Sequence, residues 1–264
     1  MALQALLKSI EQQEWVEIPE GWLQGRTIYG GLVAGMMLHK AQQLVNDESK
    51  QLLSCSVIFV GPVQPSPMRL TAEVLRQGKS VMSIEVRIWQ NDAVQSILVA
   101  SFGRARPSNI SVAQQPEAPD FPDVERLPRL PNLNLAPECF RQFEIAWASG
   151  NAPFSGSADP DFSGWFRFDT EKHSNRVMSE ADLLILADIW PPGVLPMFEQ
   201  VAPASSLTWH MTMLRPMQYQ LHDWFKYRVH TEFAADGYST EQAQIWDTDN
   251  HLIAISRQTV TVFS

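Results

Sequence analysis

Two runs of the chain are apolar on nearly every side at a length typical of helices. They are GLVAGMMLHKAQQLVN, residues 31–46, and EADLLILADIW, residues 180–190. Neither run has the continuous polar stripe of a surface helix, so other elements must cover most of its sides. The pattern therefore predicts two buried helices, one in each half of the chain.

Each predicted helix is followed by segments with the period-two pattern of half-buried strands. In SVMSIEVRIW, residues 80–89, every second residue from Met82 to Ile88 is apolar. The sequences QND and DTDN predict hairpin turns, with the next strand following at once. A short strand is also predicted before each helix, in EWVEIP and in GWFRFD. Each half is thus expected to be one apolar helix followed by an antiparallel meander.

The two halves share landmarks, which indicates a weak internal repeat. Pro62 and Pro216 are 154 positions apart, and Trp89 and Trp246 are 157 positions apart. A proline-dense stretch at 106–137 lies between the halves and reads as a partly extended connection. We therefore predict an N-terminal unit at 1–106, a Pro-rich connecting segment at 107–160 and a C-terminal unit at 161–264.

An antiparallel sheet that curls around one apolar helix is the hotdog fold. Two such units in one chain make a double hotdog of the α+β class. The expected architecture is two antiparallel sheets, each wrapping one central apolar helix.

The charge and composition of the chain exclude some classes of binding partner and cellular location. The formal net charge is −9 and the chain has no basic stripe, which argues against a nucleic acid or an anionic membrane as partner. No run approaches 18 uninterrupted apolar residues, so no membrane span is expected. Cys55 and Cys139 lie outside any CxxC motif, which favours a reducing compartment, the cytoplasm. The N-terminus predicts a short amphipathic helix with Leu3, Leu6, Leu7 and Ile10 on its apolar side, and not a signal peptide.

Four segments together resemble the acyl-CoA thioesterase II family. GRTIYGGLVAGMML resembles its glycine-rich helix start, and LADIWPPGV, SSLTWHMTMLRP and ISRQTVTVF resemble three segments of its second half. The resemblance implies a hydrolase of fatty acid metabolism that splits acyl-CoA into a free carboxylic acid and CoA. It also implies attack by a general-base-activated water without a cofactor, and a homo-oligomer in which chains pair through their sheets.

The family is known for an Asp, a Thr and a Gln that orient the attacking water. By position, the resemblance places these roles on Asp188, Ser206 and Gln258. Serine in place of threonine is a departure that keeps the hydroxyl group. Thr208 is the alternative hydroxyl if the register is off by two residues.

The residues themselves allow both a catalytic and an ordinary role. Asp188 stands near a helix end that Pro191 enforces, where the helix dipole and burial would both raise its pKa. It could equally be a solvated acid. Gln258 shares a predicted strand face with Ala254 and Val260 and would need polar partners there, or it lies exposed at a sheet edge. Ser206 could bridge a carboxylate and a water, or face solvent.

The adjacent Gly30 and Gly31 open the first buried helix. Free N–H groups at such a helix start can stabilise an oxyanion on the thioester carbonyl. The same glycines could instead serve close packing against a strand, or the helix dipole could receive the phosphates of the thiol carrier.

Two other functions remain as alternatives. An enoyl-CoA hydratase of this fold carries a His five residues after its Asp, whereas that position here is Gly193. A non-catalytic acyl-CoA binder would keep an acyl tunnel without needing the polar trio. The six histidines show no HExxH or Cys/His spacing, so no metal site is expected, and there is no GxSxG nucleophile elbow.

Overall fold

Two buried helices lie at the centre of the protein. The computed structural model describes residues 2–127, 129 and 136–263, so residues 128 and 130–135 of the predicted connection lie outside the described residues. The N-terminal helix is α1 (Ala2–Gln12), and the two central helices are α2 (Gly30–Gln42) and α3 (Glu180–Ala187). Every residue of α3 from Ala181 to Ala187 is buried, as are most residues of α2. Both predicted buried helices are present, and α1 buries the four apolar residues expected of it.

A capping box fixes the start of α3. The Ser179 hydroxyl accepts a hydrogen bond from the backbone N–H of Asp182, and the Asp182 carboxylate accepts one from the backbone N–H of Ser179. The helix ends at Ala187, three residues before the predicted end at Trp190, and Asp188 is its C-cap. The end of α3 therefore places Asp188 outside the last regular turn.

The two central helices cross closely at Gly35. A Cβ atom on this residue would lie 2.3 Å from Ile185 Cγ1 and 2.8 Å from the carbonyl oxygen of Ala181. A side chain at position 35 would therefore push the helices apart. Glycine at this position allows α2 and α3 to pack directly against each other.

One antiparallel sheet of eleven strands surrounds this helix pair, and a two-stranded hairpin precedes α2. In the N-terminal half the strands are β1 (Trp15–Val16), β2 (Leu23–Gln24), β3 (Thr27–Ile28), β4 (Gln51–Phe59), β5 (Met68–Gln77), β6 (Val81–Gln90) and β7 (Ala93–Gly103). In the C-terminal half they are β8 (Phe143–Gly150), β9 (Phe162–Phe168), β10 (Ala204–Met213), β11 (Phe225–Ala235), β12 (Tyr238–Trp246) and β13 (Leu252–Val262). The order is β1-β5-β6-β7-β4-β10-β13-β12-β11-β9-β8, and β2 pairs only with β3.

The expectation of two separate sheets, one in each half of the chain, is wrong. Strands β4 and β10 pair antiparallel, Thr208 opposite Ile58 through Thr212 opposite Ser54, and this pairing joins the two meanders into one sheet. An unpaired edge strand exposes a row of backbone donors and acceptors, and pairing β4 with β10 removes two such edges. The alternation within each strand does not tell which edges meet, so the sequence pattern could not reveal the join.

The C-terminal half contains more β-strand residues than the internal sequence repeat predicts. The short strand expected in GWFRFD is the seven-residue β9, and β8 pairs with it inside the range assigned to the connection. In the N-terminal half, the strand expected in EWVEIP is limited to Trp15 and Val16. The turns predicted at QND and DTDN follow β6 and β12.

Candidate active site

The end of α3 meets the start of α2, and Asp188 lies at this junction. Tyr29, the N-cap residue of α2, makes no side-chain capping hydrogen bond. The backbone N–H of Gly31 instead lies close enough to the Asp188 carboxylate to lower its pKa. A negative charge at a helix N-terminus is favourable because the free N–H groups and the helix dipole point toward it. Asp188 therefore ends one central helix and places its carboxylate at the start of the other.

A chain of two hydrogen bonds links Asp188 to the sheet. The Gln258 amide donates from Nε2 to Asp188 Oδ1 at 3.3 Å, and the Ser206 hydroxyl donates to Gln258 Oε1 at 2.7 Å. The amide orientation follows from the carboxylate, which accepts hydrogen bonds and donates none when ionised. The structure thus brings together the three residues that the resemblance selects.

A β-bulge decides between Ser206 and Thr208. The pairing of β10 with β13 shifts register between these two residues, and a bulge of this kind changes which face later side chains occupy. Ser206 faces Gln258 on the inner side of the sheet, whereas Thr208 is exposed and lies opposite Ile58 and Thr259. Leu207 is 36% exposed, although uninterrupted alternation would bury it. Only Ser206 of the two hydroxyls joins the hydrogen-bond chain.

Both glycines at the start of α2 are demanded by close contacts. A Cβ on Gly30 would lie 2.9 Å from Asp188 Oδ2, and one on Gly31 would lie 2.6 Å from the ring and hydroxyl of Tyr29. The N–H of Gly31 also acts on the Asp188 carboxylate and lowers its pKa. The close contacts agree with the packing interpretation of the two glycines, although the nearest partners are Asp188 and Tyr29 and not a strand. The roles toward an oxyanion or a phosphate remain predictions.

Burial dominates the ionisation of Asp188. Removal from water raises the pKa of the carboxyl to about 7, while the hydrogen bond from Gln258 and the nearby backbone N–H of Gly31 act in the opposite direction. The sequence argument also invoked the negative end of the α3 dipole, but the same carboxylate touches the positive end of α2. A carboxyl with a pKa near neutrality can take a proton from water at physiological pH.

Two further side chains at this junction were not selected from the sequence. The buried Tyr29 hydroxyl donates to the carbonyl oxygen of Ile185 at 2.8 Å and so ties the start of α2 to the last turn of α3. The buried thiol of Cys139 also lies near Asp188, and burial raises its pKa above the ordinary range. A neutral thiol is a weak nucleophile, so Cys139 is poorly suited to covalent catalysis. Within the described ranges, no group of three or more His, Cys, Asp or Glu residues is arranged to hold a metal ion.

Comparison with solved structures places the protein in the hotdog-fold class. A hotdog-fold protein from Alicyclobacillus acidocaldarius superposes with a TM-score of 0.83 at 19% identity, covering 95% of this chain and 92% of that one. The acyl-CoA thioesterase II TesB2 of Mycobacterium marinum gives 0.74 at 21% identity, with 98% of both chains covered. The tesB protein of Mycobacterium avium subspecies paratuberculosis gives 0.77 at 16% identity, with 99% and 100% covered.

Sequence models of one family match both halves. The model described as the acyl-CoA thioesterase N-terminal domain matches residues 18–103, and the model of the C-terminal domain matches residues 112–262. No curated protein sequence matches the chain. The chain belongs to the acyl-CoA thioesterase family, and its activity is the hydrolysis of acyl-CoA thioesters.

Proposed function

We propose that Asp188, Gln258 and Ser206 hold and activate the water that hydrolyses the thioester. Asp188 takes a proton from the water as its oxygen bonds to the thioester carbonyl carbon. The carbon–sulfur bond then breaks, and the proton reaches the departing CoA thiolate. The observation that carries this proposal is the continuous chain from the Ser206 hydroxyl through the Gln258 amide to a carboxyl whose pKa is raised to about 7.

The proton acceptor in this proposal is Oδ2 of Asp188. Oδ1 accepts from Gln258, whereas Oδ2 lies close to the backbone of Gly30, 2.9 Å from the position that a Cβ atom would take there. The ring of Phe59 would lie 3.6 Å from the same Cβ position. A thioester carbonyl that reaches the N-terminus of α2 beside Asp188 would meet the positive end of the helix dipole, which favours the developing negative charge.

Removing the Ser206 hydroxyl should slow turnover modestly. S206A deletes one neutral hydrogen bond, which contributes about 0.5–1.5 kcal/mol, so we expect kcat to fall roughly 2- to 15-fold. S206T keeps the hydroxyl and should retain most activity. T208A is the matched control and should stay within about twofold of wild type, since an exposed residue outside the chain is changed. A loss in T208A without a loss in S206A would overturn the assignment of the hydroxyl.

Removing the Gln258 amide should affect both rate and pH dependence. Hydrogen bonds to charged groups contribute about 1.5–3 kcal/mol, so Q258A should lower kcat roughly 10- to 150-fold. The Gln258 amide lowers the pKa of Asp188, and its loss should move the acidic limb of the rate profile to higher pH. Q242A, on the neighbouring strand β12, is the control and should leave both unchanged. A limb that stays in place in Q258A would contradict the contact with the base.

The hydratase and binder alternatives are not favoured by the family to which the chain belongs. The position where a hydratase would carry histidine is Gly193, whose backbone N–H donates to Glu241 at 2.6 Å. Incubation with a saturated acyl-CoA, an enoyl-CoA and a thiol reagent separates the three functions. The proposal expects free CoA from the saturated substrate and no water addition to the enoyl double bond.

We also propose that the protein acts in the cytoplasm as a dimer of double hotdogs. Within the described residues no helix is long and apolar enough to cross a membrane. Both cysteines are buried and free, which suits a reducing compartment.

On β4, Leu53 and Ile58 are 45% and 46% exposed, and apolar side chains on an outer sheet face suit pairing with a second copy. Sedimentation velocity should give twice the chain mass of 29.8 kDa, and a monomer would refute the pairing.

A further inference from the structure

A second buried carboxyl lies in the same row of side chains as the proposed site. Glu241 on β12 is only 4% exposed. It stands directly opposite Gln258 on β13 and opposite Thr231 on β11. Directly opposed residues project from the same face of a sheet with Cβ atoms about 4.5–5.5 Å apart. Glu241 is therefore the next side chain beyond Gln258 along the inner face.

Glu241 holds the segment that follows Asp188. The backbone N–H of Gly193 donates to Glu241 Oε2 at 2.6 Å, and the carbonyl oxygen of Gly193 accepts from the backbone N–H of Asp161 at 3.0 Å. A Cβ on Gly193 would lie 2.7 Å from Thr231 Oγ1, so the backbone of this residue is pressed against β11. Gly193 is thus fixed through both its N–H and its carbonyl group.

The remaining residues between Asp188 and Gly193 leave little freedom. Trp190 stacks on Tyr227 with ring centroids 5.1 Å apart and an interplanar angle of 9°, and two prolines follow it. Because proline fixes φ, a displacement at Gly193 is transmitted toward Trp190 and Asp188. The hydrogen bond at Glu241 therefore bears on the position of Asp188 five residues earlier.

The charged groups around Glu241 are mostly acidic. Asp188 faces it from the end of α3 and Asp161 from the segment before β9, and their negative charges add to burial in raising its pKa to about 7. The N–H of Gly193 acts in the opposite direction, and Tyr227 on β11 is a neutral neighbour. His230 contacts Oδ2 of Asp161 at 2.7 Å and is largely exposed. Among the described residues, no Lys, Arg or His forms an ion pair with Glu241.

We propose that Glu241 is a positioning residue of the thioesterase site, which anchors Gly193 and keeps a second carboxyl charge beside Asp188. The anchor sets where the base stands. The charge of Asp188 raises the pKa of Glu241, and because charge interactions are mutual, an ionised Glu241 makes Asp188 a stronger base. The inference rests on the proposed function of Asp188. It adds a residue outside the trio that the family resemblance selects.

Two substitutions separate the anchor from the charge. E241Q keeps an oxygen that can accept from Gly193 and removes the ionisable group, whereas E241A removes both. We expect E241Q to keep kcat within about threefold of wild type above pH 8, because the anchor remains. The acidic limb of kcat/KM should move to lower pH by about 0.5–1 unit, because Asp188 loses a neighbouring negative charge. One pH unit corresponds to about 1.4 kcal/mol of charge interaction. E241A should lower kcat at least tenfold with little change in KM.

A control and a second measurement keep the test decisive. E232Q removes a carboxylate on β11 that pairs with the exposed Arg257, and it should leave the limb in place. Thermal unfolding shows whether E241A is folded. If E241A is unfolded, the test rests on the acidic limb of kcat/KM measured for E241Q. An unshifted limb in E241Q overturns the inference even if D188N is inactive. An active D188N would instead overturn the proposed function, so the two failures are distinguishable.

Discussion

Replacing Asp188 with asparagine should abolish nearly all turnover. General-base catalysis contributes about 10²- to 10⁴-fold, and asparagine cannot take a proton from water although it fills the same space. We therefore expect kcat of D188N to fall by that factor while KM changes little, because the acyl-CoA contacts are retained. Steady-state release of CoA, followed with a thiol reagent, measures both constants.

The loss in D188N should not come from unfolding. A carboxyl whose pKa is raised in the folded state opposes folding when it is ionised, so its cost to stability grows as pH rises from the unfolded value of about 3.9 through 7. Removing the charge should keep or raise the unfolding temperature at pH 8. D236N, in the exposed hairpin turn between β11 and β12, is the matched control with normal activity. A D188N variant with wild-type turnover would remove Asp188 from the mechanism.

The rate should fall steeply on the acidic side of neutrality. Only the ionised form of Asp188 can accept the proton, and burial raises its pKa to about 7. With a single such ionisation, kcat/KM should fall about tenfold per pH unit well below the pKa, or roughly 50-fold from pH 7 to pH 5. Quantifying the acid product by chromatography keeps the pH dependence of the thiol reagent out of the profile.

The position of that limb is diagnostic. A limb near pH 4 would mean that Asp188 titrates as an ordinary solvated carboxyl, which is the alternative that the sequence left open. A residual rate in D188N without any limb between pH 5 and 8 would assign the limb of the wild type to this residue. A limb that persists in D188N would assign it to another group.

Much of the fold was accessible from the alternation of apolar and polar residues. The helix at α2 is buried nearly all round because GLVAGMML has no polar face, and the strands of β6 and β13 follow their period of two. The join between β4 and β10 was not accessible, because hydrogen bonds along a strand edge involve backbone groups that every residue carries. Strand β8 was missed for a different reason. It lies just after the proline-dense stretch and was assigned to the connecting segment.

The site was accessible only in part. Asp188 and Gln258 were selected by the resemblance to the thioesterase family, because the residues alone left an ordinary role open for each. The inward placement of Ser206 depends on the bulge before Thr208, and single-sequence alternation carries no signal for a bulge without glycine or proline. Tyr29 and Glu241 were missed because their partners, Ile185 and Gly193, are 156 and 48 residues away and are contacted through backbone atoms.

The central claim is that water attacks the thioester directly while a carboxylate takes its proton. A single turnover with enzyme in excess over acyl-CoA, run in ¹⁸O-labelled water, tests it most directly. The account predicts one ¹⁸O in the carboxylate of every acid molecule released and none in the peptide that contains Asp188. Unlabelled acid together with ¹⁸O in that peptide would mean that Asp188 attacks as a nucleophile, and would contradict the account.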